Sequence, residues 1–260
     1  MTAALRAEFL KLRTTRLVAG MTGLAVALTA LISVLEAVTA GTRKGMAIPS
    51  LATAAGLRDN LASTGFALLA AALLGVVITS GEFRLKTATD TYLDQPDRSR
   101  VLAAKVIAAA AAGMVLGIAA ATTATGIALG FVASRGYPLA LSDPAIARYA
   151  GGTVIGSALL AAVGAGAGSL IRQQTGAIIA VVAWGLVIEL VVGSTVTTVG
   201  RFLPYTAAAM LAGDTNGGGM PQIPHGVTAL PYPAAIAVLA AIAAAVAAAA
   251  AFTSVRRDVT

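Results

Sequence analysis

Apolar residues in this chain do not alternate with polar ones. They come in long blocks divided by short polar stretches. From Asn60 to Gly81 there is no Asp, Glu, Lys or Arg, and from Val106 to Ser134 there is none either. Each block exceeds the roughly 20 apolar residues that cross a bilayer core of about 30 Å. The whole pattern predicts six spans, at about Leu17–Ala40, Leu61–Gly81, Val106–Ser134, Tyr149–Ile171, Thr175–Val199 and Pro233–Ser254. The third block is longer than one crossing needs, so its ends project beyond the bilayer or the helix tilts. Backbone polar groups inside lipid must be satisfied within the fold. The expected fold class is therefore an all-α membrane protein, with residues 1–260 forming a single domain of six transmembrane helices. A transmembrane barrel would instead show alternating segments of about ten residues.

The segments between the blocks carry the remaining signals. In residues 1–16, Leu5, Phe9 and Leu12 form one helical stripe, with Arg6, Glu8, Lys11 and Arg13 lying away from it. This predicts an N-terminal interfacial helix lying along the membrane. The apolar run after Arg16 is too long for a typical signal-peptide core and lacks a small-residue cleavage site. Residues 82–105 form a polar island with nine of the chain's 29 charged residues. Residues 172–174 read as a tight polar turn. Residues 200–232 are rich in Pro and Gly, and their first part is compatible with a short helix.

Charge sets the orientation. Six spans put both termini on one side. That side collects Arg6, Lys11, Arg13, Arg16, Arg84, Lys86, Arg98, Arg100, Lys105, Arg172, Arg256 and Arg257, 12 of the 18 Lys and Arg. The other collects Arg43, Lys44, Arg58, Arg135, Arg148 and Arg201, the remaining 6. The positive-inside bias makes the richer side cytoplasmic, with both termini, the island and the 172–174 turn, and leaves 200–232 external. Composition agrees: 58% of residues are hydrophobic and 11% are charged, against about 25% charged in a soluble domain. The net charge of +7 is then a topological bias and predicts no nucleic-acid partner.

Candidate chemistry is sparse. The chain has no Cys and one His, His225, so a zinc site built on these residues is excluded. There is no P-loop, HExxH or GxSxG motif. No catalytic residue and no metal ligand is expected. The segment GAGAG at 164–168 lies inside a span, where small residues serve helix packing rather than phosphate binding. The spaced pairs Gly113 and Gly117, Gly126 and Gly130, Gly152 and Gly156, and Gly164 and Gly168 read the same way. Two carboxylates fall within spans: Glu36, roughly 28 Å along its helix from Leu17, and Glu189. Both are placed near the outer interface. Each is expected either to pair with a neighbouring cation (Glu36 with Arg43 or Lys44, Glu189 with Arg201) or to line a substrate path or couple protons.

The island carries a family resemblance. The stretch GEFRLKTATDTYLDQPDRSRVLAAK, Gly81 to Lys105, resembles the first cytoplasmic segment of ABC transporter permeases of the type 2 exporter class. The matching positions are Glu82, Phe83, Arg84, Thr87, Pro96, Arg98 and Lys105. The opening AEFLKLRTTRL is similar to that family's N-terminal connecting helix, and FLPYTAAAML, Phe202 to Leu211, to its external segment before the last span. The resemblance implies a transport subunit without ATPase activity in a bacterial cytoplasmic (inner) membrane. It implies pairing with a second permease chain and with a cytosolic ABC ATPase, which would hold the ATP and Mg; no cofactor is expected in this chain. Residues Glu82, Phe83, Arg84, Thr87, Pro96, Arg98 and Arg100 would form the coupling segment at the ATPase interface, with Arg172 as a smaller contact. Mixed charge in the island suits a protein partner, where complementarity fixes register. The expected cargo is a drug, peptide or lipid-like molecule. A secondary transporter or channel and a membrane immunity protein are the rival readings.

Overall fold

A computed structural model describes residues 2–40, 51, 53–85, 97–137, 144–214, 223 and 226–256. Thr87 and Pro96 of the expected ATPase interface lie outside the described residues. So do Lys86, Arg43, Lys44, His225 and Arg257. Among the described residues the chain is all-helical, and six helical stretches are long and apolar enough to cross a membrane. This is the architecture of a multi-pass membrane protein.

In chain order the helices are α1 (Thr2–Thr14), α2 (Leu17–Thr39), α3 (Ala54–Leu61), α4 (Gly65–Arg84), α5 (Arg98–Ser134), α6 (Pro144–Ile171), α7 (Gln174–Ala183), α8 (Glu189–Thr195), α9 (Thr197–Gly200), α10 (Pro204–Leu211) and α11 (Tyr232–Arg256). A 3-10 turn, Ala62–Thr64, joins α3 to α4, and a π-helical turn, Trp184–Ile188, joins α7 to α8. The second span thus starts earlier than the uncharged run suggests. Thr53 caps α3 by accepting a hydrogen bond from the Gly56 N–H at 3.2 Å, so Arg58 and Asp59 stand on a helix rather than in a loop. At the other side of the island, Asp97 caps α5, its carboxylate accepting from the Arg100 N–H at 3.3 Å and from the Ser99 hydroxyl at 2.6 Å. Those bonds hold the Asp97 carboxyl below its ordinary value. Arg98, Arg100 and Lys105 therefore belong to α5, whose 37 residues extend about 55 Å. The polar connection narrows to residues 85–97.

α6 is the hub of the bundle. It packs along α4 and α5 and also touches α10 and α11. Lipid tails are as apolar as a leucine core, so helix association here depends on close backbone approach and on interhelical hydrogen bonds. Both are present. A Cβ at Gly75 would strike the Ala161 carbonyl, and one at Gly164 the Ala72 carbonyl. Gly113 and Gly117 receive Ser157, Gly152 receives Leu211, and Gly168 receives Thr79. Three of the four spaced glycine pairs thus pack inside the chain. Gly126 and Gly130 meet nothing within 4 Å and face outward. The Thr79 hydroxyl donates to the Ala165 carbonyl at 2.9 Å, and Thr64 and Thr153 pair at 3.1 Å. Asn60 donates to the Ser33 carbonyl at 2.8 Å, tying α3 to α2. On the perimeter, Leu24, Leu31 and Leu35 of α2, Val115 and Ile118 of α5, and Ile179, Val187 and Val191 of the α7–α8 stretch are exposed. In a bilayer these side chains meet acyl chains.

Candidate functional site

The polar residues gather at the two ends of the bundle. One end holds the close of α4, the start of α5, the α6–α7 turn and α1. Here Glu8, Lys11, Glu82 and Lys105 form a closed ring. Lys105 Nζ lies 3.1 Å from Glu8 Oε1 and 2.5 Å from Glu82 Oε1. Lys11 Nζ lies 2.9 Å from Glu8 Oε1 and 2.7 Å from Glu82 Oε1. Two cations and two carboxylates alternate, and the ring has no net charge. The Lys105 and Glu8 side chains are each 6% exposed and that of Glu82 is 13% exposed, whereas Lys11 is 45% exposed. Partial burial works against the Lys11 ammonium, but its bonds to Glu8 and Glu82 outweigh this and raise it above its ordinary value.

The ring explains why Lys105 can open an uncharged run of 29 residues. A lone ammonium at that depth would be costly, and two carboxylates make it tolerable. It also corrects the expected orientation of α1. Glu8, placed by its spacing on the polar face of that helix, is turned inward and buried against α5. Phe9 and Leu10 face outward at 45% and 63% exposure.

Beside the ring, Thr79, Glu82, Phe83, Leu102, Lys105, Ser169 and Arg172 line a small cleft. Arg172 sits in the left-handed region at φ 56°, where it makes the reversal between α6 and α7. Its N–H bonds the Gly168 carbonyl at 3.1 Å and its guanidinium lies 5.5 Å from the Phe83 ring. The structure therefore brings together Glu82, Phe83 and Arg172 of the sequence-derived set. Arg84 and Arg100 are exposed nearby, and Arg100 pairs locally with Asp97 at 2.8 Å. Arg98 is partly exposed at the start of α5. Sequence reasoning missed Glu8 and Lys11. The signal available for them was Lys105 itself, a cation at the mouth of a span that needs a counter-ion from elsewhere in the chain.

The opposite end is organised by Glu189. It is 2% exposed. Its Oε1 accepts from the Tyr205 N–H at 2.8 Å and from Trp184 Nε1 at 3.0 Å, and its Oε2 from the Thr206 N–H at 2.8 Å and the Thr206 hydroxyl at 2.9 Å. Pro204 opens α10, so the next N–H groups have no partner within the helix. A carboxylate at that helix start satisfies them and opposes the helix dipole. The expected Glu189–Arg201 pair is not formed; the Arg201 guanidinium lies 4.9 Å from the Phe202 ring. Tyr205, buried below, donates its hydroxyl to the Gly65 carbonyl where the 3-10 turn meets α4. Glu36 is partly exposed, with Oε2 lacking a partner among the described residues; its expected partners Arg43 and Lys44 lie outside them.

Among the described residues no cluster of His, Cys, Asp or Glu has the geometry to hold a metal ion. No family model, curated protein or solved structure matches the chain.

Proposed function

We propose that this chain is the membrane-spanning permease subunit of an ATP-driven ABC exporter of the type 2 class. It works beside a second permease chain in a bacterial cytoplasmic membrane, with α1 along the inner interface and both termini cytoplasmic. ATP and Mg are held by a separate cytosolic ATPase subunit. The observation that carries the reading is the four-charge ring. It fastens α1 to the end of α4 and the beginning of α5, the two helices that flank the polar 85–97 connection. Any push on that connection is delivered to both spans and to α1 together. The Arg172 turn, held against Phe83, adds α6 and α7 to the same unit.

In this mechanism the 85–97 connection seats in a cleft of the ATPase, with Arg84, Arg98 and Arg100 meeting carboxylates. ATP-driven closure of the ATPase pair then moves α4 and α5. Glu36 lines the substrate path at the outer end, whereas Glu189 holds the external helix α10. The cargo is a drug, peptide or lipid-like molecule. The test is affinity purification of the chain in mild detergent from its host. A stoichiometric P-loop ATPase that is lost with Arg84→Glu plus Arg98→Glu is the expected result. A clean homo-oligomer without an ATPase would refute the exporter reading in favour of a channel, a secondary transporter or an immunity protein.

A further inference from the structure

We propose that the outward face of α1 is a seat for anionic phospholipid headgroups. The inference needs only the membrane location of the chain and does not rest on the exporter reading. Four consecutive observations lead to it. First, the charged residues of α1 divide into two sets. Glu8 and Lys11 are consumed by the ring with Glu82 and Lys105. Arg6 and Arg13 are exposed and make no ion pair among the described residues. Second, at 3.6 residues per turn Arg6, Phe9, Leu10 and Arg13 fall within an arc of about 100°, and all four are exposed. Third, that arc holds no acid, because the only carboxylate of α1 is Glu8, on the opposite side. Fourth, the face turned to the bundle is tied down by the ring and by the packing of α1 on α5, so the arc is held outward.

Two guanidiniums between two large apolar side chains fit one environment well. Phe9 and Leu10 enter the acyl boundary while Arg6 and Arg13, two turns and about 10 Å apart, reach the phosphates above it. Arg16, exposed between α1 and α2, adds a third cation. An acidic protein surface would satisfy the guanidiniums but would leave Phe9 and Leu10 without an apolar counterpart. Charge complementarity therefore selects an anionic leaflet.

The experiment uses the full chain in mixed micelles holding equal amounts of phosphatidylglycerol and phosphatidylcholine with the same acyl chains. Native mass spectrometry reads which lipid stays bound. The wild type is expected to retain phosphatidylglycerol preferentially. In Arg6→Gln/Arg13→Gln the preference should fall by about five-fold per guanidinium at low salt. Arg6→Lys/Arg13→Lys should keep most of it, and added salt should weaken it in the wild type without any substitution. Equal retention of the two lipids by the wild type, or an unchanged preference in the glutamine variant, would overturn the proposal. A glutamine variant that keeps its lipid preference but loses a cytosolic protein partner would also overturn it, and would assign the arc to that protein.

Discussion

Replacing Lys105 by Met tests the ring at its buried cation. The substitution keeps most of the side-chain volume and removes the charge. Glu8 and Glu82 then remain as carboxylates with side chains 6% and 13% exposed, sharing only the half-exposed Lys11. Removing one partner of a buried ion pair typically costs about 3–5 kcal/mol, because the charge left behind is uncompensated. That is a large share of the roughly 5–15 kcal/mol that holds a domain together. Glu8→Gln in the same background removes one of the stranded charges and leaves an amide for Lys11, so the double variant should be more stable than Lys105→Met alone. The expected coupling is about 1–3 kcal/mol. The assay is denaturant unfolding of the full chain in detergent, followed by fluorescence and by a spin label on α1. Trp184, the only tryptophan, lies beside Glu189 and away from the ring, so its signal separates global unfolding from the release of α1. A loss below about 1 kcal/mol would be the behaviour of a solvated surface pair and would refute the buried-ring reasoning.

Three further outcomes follow from other parts of the fold. Glu189→Leu strands the Tyr205 and Thr206 N–H groups and should cost about 3 kcal/mol or more, with an immediate change in Trp184 emission; an unaltered emission spectrum would contradict the bonding of Trp184 to Glu189. Gly164→Val drives a side chain into the Ala72 carbonyl and should destabilise the protein by about 1–3 kcal/mol or beyond, whereas Gly126→Val, on an open face, should be tolerated in the same melting assay; equal effects would disprove the packing assignment. The Lys11 value is raised above the ordinary 10.5, so its contribution is complete below that pH and is lost as pH climbs through the raised value. A spin label at Ala7→Cys should gain mobility only at alkaline pH above 10.5, and mobility gained near neutrality would show that Lys11 does not hold α1.

The spans were legible because an uncharged run of 20 residues or more has few other uses. Their boundaries were less so. Arg58 and Arg98 look like loop residues by charge, yet the Thr53 and Asp97 caps start helices ahead of them. The 3-10 turn at Ala62–Thr64 and the π turn at Trp184–Ile188 leave no mark in hydropathy, since each is fixed by neighbouring helices. The orientation of α1 was unreadable for a different reason. An apolar stripe identifies the core-facing side of a helix only where the alternative is water. In α1 the ion pairs of Glu8 and Lys11 decide which way the helix turns. Glu189 was visible as an intramembrane carboxylate, but its partners were backbone N–H groups 16 and 17 residues away, and backbone donors have no signature in a sequence.

The seam between α4 and α6 has a mechanical consequence. Gly75 lies against the Ala161 carbonyl and Gly164 against that of Ala72, so the two helices touch main chain to main chain where residues 72–76 meet residues 161–168. Two rods welded in this way transmit a tilt as a lever does, and they leave no slot between them for a solute. The α4–α6 seam itself therefore cannot serve as a conduit. In the exporter proposed above, the solute path lies outside this seam.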